Sequence, residues 1–337
     1  MVNEKNEEQV VAEVYLPFEK SIADLDQKIK ELKHISQNGI ELSDEIKDLR
    51  KKYDAALKNT YAHLTSWQRV QVARHPHRPY TLNYIDLMME DFIEISGDRY
   101  FGDDKAIVTG FARIGNYRVV VIGHQKGRGT KENIYRHFGS AHPEGYRKAL
   151  RVMKLAERFN LPVITFIDTP GAYPGIKAEE RGQAEAIAYN LRAMSILEVP
   201  IISVIIGEGG SGGALGIGVT DKIIMLENAY YSVISPEGCA AILWKDSTRA
   251  PEAAVALKIT ADELFDIKLI DDIVKEPLGG AHRDVKKTAK NLKEKLEKHL
   301  AVLTTISKKE LCENRYAKYR KIGVFKEGKP RRKISSK

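Results

Sequence analysis

The chain has 337 residues, 43% of them hydrophobic and 30% charged, with a formal net charge of +8. That length buries a full core and is long for one compact domain, so a core domain with an appendage is expected. The only cysteines, Cys239 and Cys312, form no CxxC pair; this excludes a cysteine-ligated zinc site or a disulfide framework and fits a reducing cytosol.

The positive charge is localised. The segment KEGKPRRKISSK holds six Lys/Arg against one Glu, which is +5 of the total, and reads as a solvated, disordered tail over residues 326–337. No aromatic residue is interleaved with it to stack bases, so no nucleic-acid-binding domain is inferred. The opening MVNEKNEEQVVAE is acidic and polar, unlike a signal or transit peptide. Apolar runs such as 201–206 are too short to span a bilayer. A cytoplasmic chain with no membrane partner is expected.

Residues 18–64 read as an antiparallel helical hairpin. Ile22, Leu25, Ile29 and Leu32 share one stripe, as do Leu42, Ile46, Leu49, Tyr53 and Leu57, and Gln37-Asn38-Gly39 breaks the pattern between them. This hairpin packs either on its own core or on a partner subunit. The run His75-Pro76-His77-Arg78-Pro79 marks a boundary, because each proline disfavours helix at the residue before it. Its HxH pair lacks a third metal ligand nearby. The division is then a helical region over residues 1–75, a main domain over 76–325 and the tail.

Within the main domain a helix is predicted over 82–94, then two strands, 107–114 and 117–123, joined at Gly115-Asn116. A helix follows over 143–159, with Tyr146, Ala149, Leu150, Met153 and Ala156 on one face. Buried strands are predicted at 162–167, 200–206 and 222–226, with a further strand at 230–234. Helices are predicted at 178–197, 214–219, 236–244 and 284–299, the last closing the chain before the tail. Strands alternating with helices indicate an α/β core.

The stretch VPIISVIIGEGGSGGA carries five glycines within Gly207–Gly213 at the end of a strand. Glycine loses the most conformational freedom on folding, so such a turn implies a close approach of bare N–H groups to something. With a helix behind it, the turn reads as an oxyanion or phosphate site. Three chemistries fit parts of the pattern. Asp168-Thr169-Pro170-Gly171 matches a GTPase DxxG element, yet no correctly spaced phosphate-cradling loop precedes it. Gly209-Gly210-Ser211-Gly212-Gly213 satisfies GxSxG, the nucleophile elbow of serine hydrolases, with Asp271 or Asp272 and His282 following in order. The third uses two loops together: DTPGAYPG (168–175) and the glycine turn each supply N–H donors to a developing oxyanion.

The segments ARHPHRPYTL (73–82), GDRYFGDDKAIV (97–108), IGHQKGR (122–128), PEGYRKALR (143–151), ITFIDTPGAYPG (164–175), EERGQAEAIA (179–188), IGEGGSGGALGIG (206–218), YSVISPEGCAAILWK (231–245) and EPLGGAHR (276–283) decide among them. With these, the chain closely resembles α subunits of the carboxyltransferase of bacterial and plastid multisubunit acetyl-CoA carboxylase, over residues 16–323. Gly216 stands where alanine is usual, and the tail is an extension.

The resemblance implies a crotonase-type spiral of repeated ββα units and an α2β2 assembly with a β subunit that binds most of the CoA and carries a zinc ribbon. No metal is expected in this chain. Carboxyl transfer from carboxybiotin, borne by the biotin carboxyl carrier protein, to acetyl-CoA gives malonyl-CoA for fatty-acid synthesis, with biotin carboxylase in the larger complex. The α-side oxyanion hole falls on the backbone of Gly212 and Gly213, with a second donor near Gly175 and Ile176. These donors stabilise the ureido oxygen as the carboxyl group leaves, and the freed ureido nitrogen deprotonates the acetyl methyl. Glu237, in SPEG, is either an acid–base group, an exception to the cofactor supplying the base, or, the preferred reading, a capping residue at the helix starting with Pro236.

Overall fold

The computed structural model describes residues 14–37 and 42–323. Asn38 and Gly39 of the expected hairpin turn, and the basic tail, lie outside them.

Helices Lys20–Gln37 and Ser43–Ala62 form the expected hairpin. Ile22, Ile29, Tyr53 and Leu57 make a small core of their own, flanked by Leu25, Ile46 and Leu49. The hairpin is anchored by Glu19, fully buried, which accepts from Tyr61 at 3.0 Å and Arg283 at 3.2 Å.

The rest of the described residues are built on one sheet of eight strands: β1 (Glu90–Glu94), β2 (Ile107–Ile114), β3 (Tyr117–His124), β4 (Val163–Thr169), β5 (Ile201–Gly210), β6 (Lys222–Leu226), β7 (Tyr230–Ser232) and β8 (Asp272–Val274). The order is β1-β2-β3-β4-β5-β6-β8. The pairs β1–β2 and β2–β3 are antiparallel, the others parallel. β4 and β5 are buried along their whole length, as their near-continuous apolar runs require of central parallel strands. β5 is long enough to serve two neighbours. Ile202–Ile205 pair with β6, whereas Glu208–Gly210 pair with β7. The sheet therefore divides at the last third of β5, just before the glycine turn. Two strand–strand–helix passages recur: β2, β3 and helix Pro143–Arg158, then β6, β7 and helix Pro236–Trp244.

Four predicted elements change. The helix predicted over 82–94 is helix Thr81–Met88 followed by β1, because β2 offers an open edge and the Phe92 ring covers Gly110. The helix predicted over 178–197 is two, Ile176–Glu180 and Gln183–Ile196, separated at Gly182, whose φ of 80° no helix interior accommodates. The helix behind the glycine turn runs Ser211–Leu215, earlier than 214–219, because β5 continues to Gly210. The helix predicted over 284–299 is Val285–Leu303, capped by Asp284, and does not close the core: helix Lys308–Arg320 follows. That last helix has little apolar face. It is held instead by buried Arg315, which donates to Asp221 at 2.8 and 2.9 Å and to the carbonyls of Met194, Leu197 and Val199.

Candidate active site

β4 and β5 lie side by side and end together, so the loops that follow them meet. A Cβ on Gly207 would stand 2.5 Å from Asp168 Oδ1, and one on Gly213 would stand 2.5 Å from the Gly171 carbonyl carbon and 2.6 Å from the Ala172 nitrogen. A Cβ on Gly210 would meet the Pro170 carbonyl. The something that these glycines approach is thus the other loop. Gly212 differs: the nearest atom to a Cβ there is Ile187 Cδ1 at 3.7 Å.

Gly212 and Gly213 are the second and third residues of helix Ser211–Leu215, where N–H groups have no acceptor inside the helix. Gly212 and exposed Ser211 border a cavity of about 580 Å³ walled by Tyr231, Ile259, Leu264 and Ile267. Gly175 caps helix Ile176–Glu180, and Ile176 is 78% exposed at its start. The direct contacts between the loops fall at Thr169–Ala172, three residues before Gly175.

Beneath the loops runs an ion network that sequence reasoning missed. Lys126 Nζ lies 2.7 Å from both Asp168 Oδ1 at the end of β4 and Glu208 Oε1 near the end of β5. Asp168 Oδ1 also accepts the Glu208 N–H at 3.0 Å. Arg74 reaches the other Glu208 oxygen at 2.7 Å and also pairs with Glu237; Tyr230 donates to Glu208 at 2.7 Å. Burial works against the charge on Glu208, yet Lys126 and Arg74 outweigh it and hold the carboxyl down at about 2. Burial likewise opposes the Lys126 charge, and Asp168 and Glu208 push its pKa above the usual lysine range. A charge inside an apolar run, as at Glu208 in IIGEGG, was the available signal; its partners at 74 and 126 are far away in sequence.

The serine-hydrolase constellation does not assemble. Ser211 has the left-handed φ of 51° that an elbow nucleophile adopts. His282, however, stacks on His75 with ring centroids 3.7 Å apart, and neither of its nitrogens has a hydrogen-bond partner. Burial, with His75 and Arg283 nearby, drives its pKa down to about 2. Asp271 accepts from Ile223 N–H and Lys318, and Asp272 from Lys295 and His299. Of the HxH pair, His75 is committed as well, with Nε2 2.9 Å from the Val14 carbonyl oxygen and Nδ1 accepting from the His77 backbone N–H. Glu237 is not the cap of its helix: Ser235 accepts from Gly238 N–H in that role, and Glu237 faces Arg74.

No described helix is long and apolar enough to cross a membrane. The family model described as acetyl co-enzyme A carboxylase carboxyltransferase-like matches residues 15–323. A Geobacter metallireducens protein named acetyl-coenzyme A carboxylase carboxyl transferase subunit alpha is 58% identical over 318 residues, covering 94% of this chain and all of that one. Its Haemophilus influenzae namesake is 58% identical over 92% of this chain and 98% of that one. Among solved structures, transcarboxylase 12S superposes with a TM-score of 0.56 at 20% identity, over 69% of this chain and 44% of that chain. The β subunit of Pseudomonas aeruginosa geranyl-CoA carboxylase does so at 0.53 and 17%, over 79% and 48%. Those likenesses carry the fold alone, a crotonase-type α/β spiral. Family model and relatives agree across nearly the whole length, and the chain belongs to the acetyl co-enzyme A carboxylase carboxyltransferase-like family, on its α-subunit branch.

Proposed function

We propose that this chain is the α half of an acetyl-CoA carboxyltransferase, taking the carboxyl group from carboxybiotin on a carrier protein and delivering it to acetyl-CoA. The observation that carries the site assignment is the wedge of the two loops. Gly210 and Gly213 lock against Pro170–Ala172, and this fixes the direction of the Gly212 and Gly213 N–H groups. Donors fixed in advance stabilise developing negative charge without reorganising during the reaction.

The residues fit a biotin head group. Unpaired N–H groups at a helix start suit the ureido oxygen, and the cavity beside Gly212 offers apolar walls to the rest of the ring system. When bound, carboxybiotin supplies the carboxyl group and then the base that activates the acetyl methyl. This chain's part is to hold the ureido oxygen at Gly212 and Gly213, with Gly175 and Ile176 as the second donor position. Lys126 keeps both loops in register through Asp168 and Glu208. None of these three side chains is a free base, because each is committed to an ion pair.

The remaining parts of the proposal are a β partner with a zinc ribbon, an α2β2 assembly, association with the biotin carboxyl carrier protein and biotin carboxylase, and a cytoplasmic site of action. Residues 1–75 are assigned as a helical appendage and 76–325 as the carboxyltransferase domain; the hairpin's separate small core supports that division. Exposed Val233, Ile242, Leu243, Val255 and Ile267 supply apolar surface of the kind a subunit contact covers. Co-expression with a cognate β subunit, followed by assay of malonyl-CoA decarboxylation with free biotin, tests the reading. Activity is expected only with both subunits present, at a mass near a heterotetramer. Robust turnover by the purified chain alone overturns it.

A further inference from the structure

The carboxylate of Asp104 and the Nδ1 atoms of His137 and His142 come together beside the ion network just described: a Cβ on Gly139, between the two histidines, would stand 2.8 Å from Lys126 Cγ and 3.1 Å from the Asp168 carbonyl oxygen. Asp104 Oδ2 lies 3.1 Å from His142 Nδ1, His142 Nδ1 lies 3.2 Å from His137 Nδ1, and His137 Nδ1 lies 3.6 Å from Asp104 Oδ1. We propose that these three residues form a zinc(II) site, against the expectation of no metal in this chain.

With protons alone, both rings turn to the carboxylate: His142 Nδ1 lies 3.1 Å from Asp104 Oδ2, while His137 Nδ1 reaches Oδ1 only at 3.6 Å. A ring nitrogen carries either one N–H or one lone pair, directed along a single line in the ring plane. With both donating to Asp104, two N–H groups stand 3.2 Å apart with no acceptor between them. One cation at the centre uses every lone pair at once. Bonds of about 2.0–2.1 Å in a tetrahedral zinc site place the ligand atoms about 3.3 Å from one another, and the 3.1 and 3.2 Å separations of Asp104 Oδ2 and His137 Nδ1 from His142 Nδ1 match that spacing. Two imidazoles and a carboxylate form a borderline donor set suited to zinc, with a fourth position open to water.

The surroundings hold the donors in place. Asp104 is buried and accepts the N–H groups of Ala106 and His142, each at 2.6 Å, which fixes its carboxylate plane. Second-shell bonds of this kind orient a metal's ligands. The nearby Lys148 ammonium is already paired, with Asp103 at 2.6 Å and the Asp104 carbonyl at 2.7 Å. His137 and Phe138 both take left-handed backbone angles, φ 48° and 55°, which turn the His137 ring back toward Asp104. The His137 side chain is 33% exposed, so the site opens to solvent and an ion has a way in. The site also touches the loop after β4. The Tyr173 ring stacks on His142 at 4.1 Å, and Tyr173 N–H donates to the Ala141 carbonyl. Ligation would stiffen that loop, although the site itself does not depend on the carboxyl-transfer reading.

The test is titration of the chelator-stripped full chain with zinc chloride, against a chromogenic competitor and by calorimetry. One equivalent is expected at micromolar affinity or tighter, with X-ray absorption showing two imidazole nitrogens and oxygen at about 2.0–2.1 Å. His142→Ala and His137→Asn should each weaken binding at least tenfold, with circular dichroism reporting an intact fold. Tyr173→Leu, which removes no donor atom, should leave the equivalent in place. Should either histidine variant lose its fold, the absorption spectrum of the unaltered chain decides alone. The proposal is overturned if the His137→Asn/His142→Ala double variant binds zinc as the unaltered chain does. It is equally overturned if no equivalent binds, or if the ion is found on sulfur.

Discussion

After β5, a Cβ at position 210 or 213 would meet the backbone of the neighbouring loop; after β4, Gly171 has open space around it and Gly175 would meet only the ring of Tyr173. The first loop uses glycine to be approached, whereas the second uses it for shape, Gly171 taking a φ of 155°. The two are not interchangeable halves of a symmetric cradle. One is wedged and rigid, the other is pinned by a side chain, Asp168, at its root. Gly213 and Gly212, adjacent in sequence, fall on opposite sides of this distinction, so substitutions there separate packing from chemistry.

The largest effect is expected where both loops share one partner. Lys126→Met leaves Asp168 and Glu208 buried without their common counter-charge. Breaking a buried pair from one side costs about 3–5 kcal/mol. Urea denaturation should show a loss of that size; a midpoint unchanged from the parent would mean that the network does not hold the loops. Gly213→Val comes next. Its side chain collides with the Gly171–Ala172 backbone, so a cost of about 1–3 kcal/mol in stability is expected from overpacking. Carboxyl transfer should fall about 10²–10³-fold as a donor moves off its target. Gly212→Ala is the control, because a Cβ there has 3.7 Å of clearance and the N–H remains. It should keep native stability in the same denaturation series. If Gly213→Val transfers normally, the wedge is packing and nothing more.

Acid sharpens the contrast in another way. His124 and His282 have pKa values lowered to about 3 and about 2, by burial first and by neighbouring cationic groups second, against an ordinary 6.5. Both are neutral when folded and take up protons on unfolding, so their contribution is complete above pH 6.5 and declines as pH falls through that value. Each contributes a slope of roughly 1.4 kcal/mol per pH unit in that window. Glu208, depressed from 4.5 to about 2, adds a further loss only below pH 4.5. Stability measured from pH 7.5 to 5 should therefore fall before any carboxylate titrates. A flat profile over that interval would show that the two histidines are not buried as described.

The central strands were legible because parallel strands covered on both faces leave unbroken apolar runs, as at β4 and β5. The glycine turn was legible as a close approach, yet not what it approaches, since Pro170–Ala172 lie about 40 residues earlier and only the pairing of β4 with β5 brings them near. β1 was read as helix because EDFIE has too few apolar residues to show its period, and the open edge of β2 decided the matter. Helix Lys308–Arg320 was missed for a related reason: a buried arginine anchors it where an apolar stripe was sought. The Arg74–Glu208–Lys126–Asp168 network joins four separate segments, and local pattern reading has no access to such pairings.

The smallest expected effect is also the one that separates carboxyl transfer from hydrolysis. Ser211 sits first in the helix after β5, exposed, with a φ of 51°. Alanine takes that backbone angle at about the same cost as serine, so Ser211→Ala should leave stability within about 0.5 kcal/mol of the parent, as for surface sites generally. The N–H groups of Gly212 and Gly213 survive the change, so transfer in the assembled enzyme should stay within a few-fold. Ser211→Gly should add up to about 1 kcal/mol, because glycine relieves the left-handed strain, an increment visible in a thermal melt. A hydrolase would behave otherwise, losing nearly all activity in either variant, and a serine-directed fluorophosphonate would label the parent stoichiometrically. No labelling is expected here. A hydroxyl becomes a nucleophile when a base within hydrogen-bond reach takes its proton; His282 is stacked on His75 with no hydrogen bond from either nitrogen, and His299, the other histidine in that order, is bound to Asp272 at 3.0 Å.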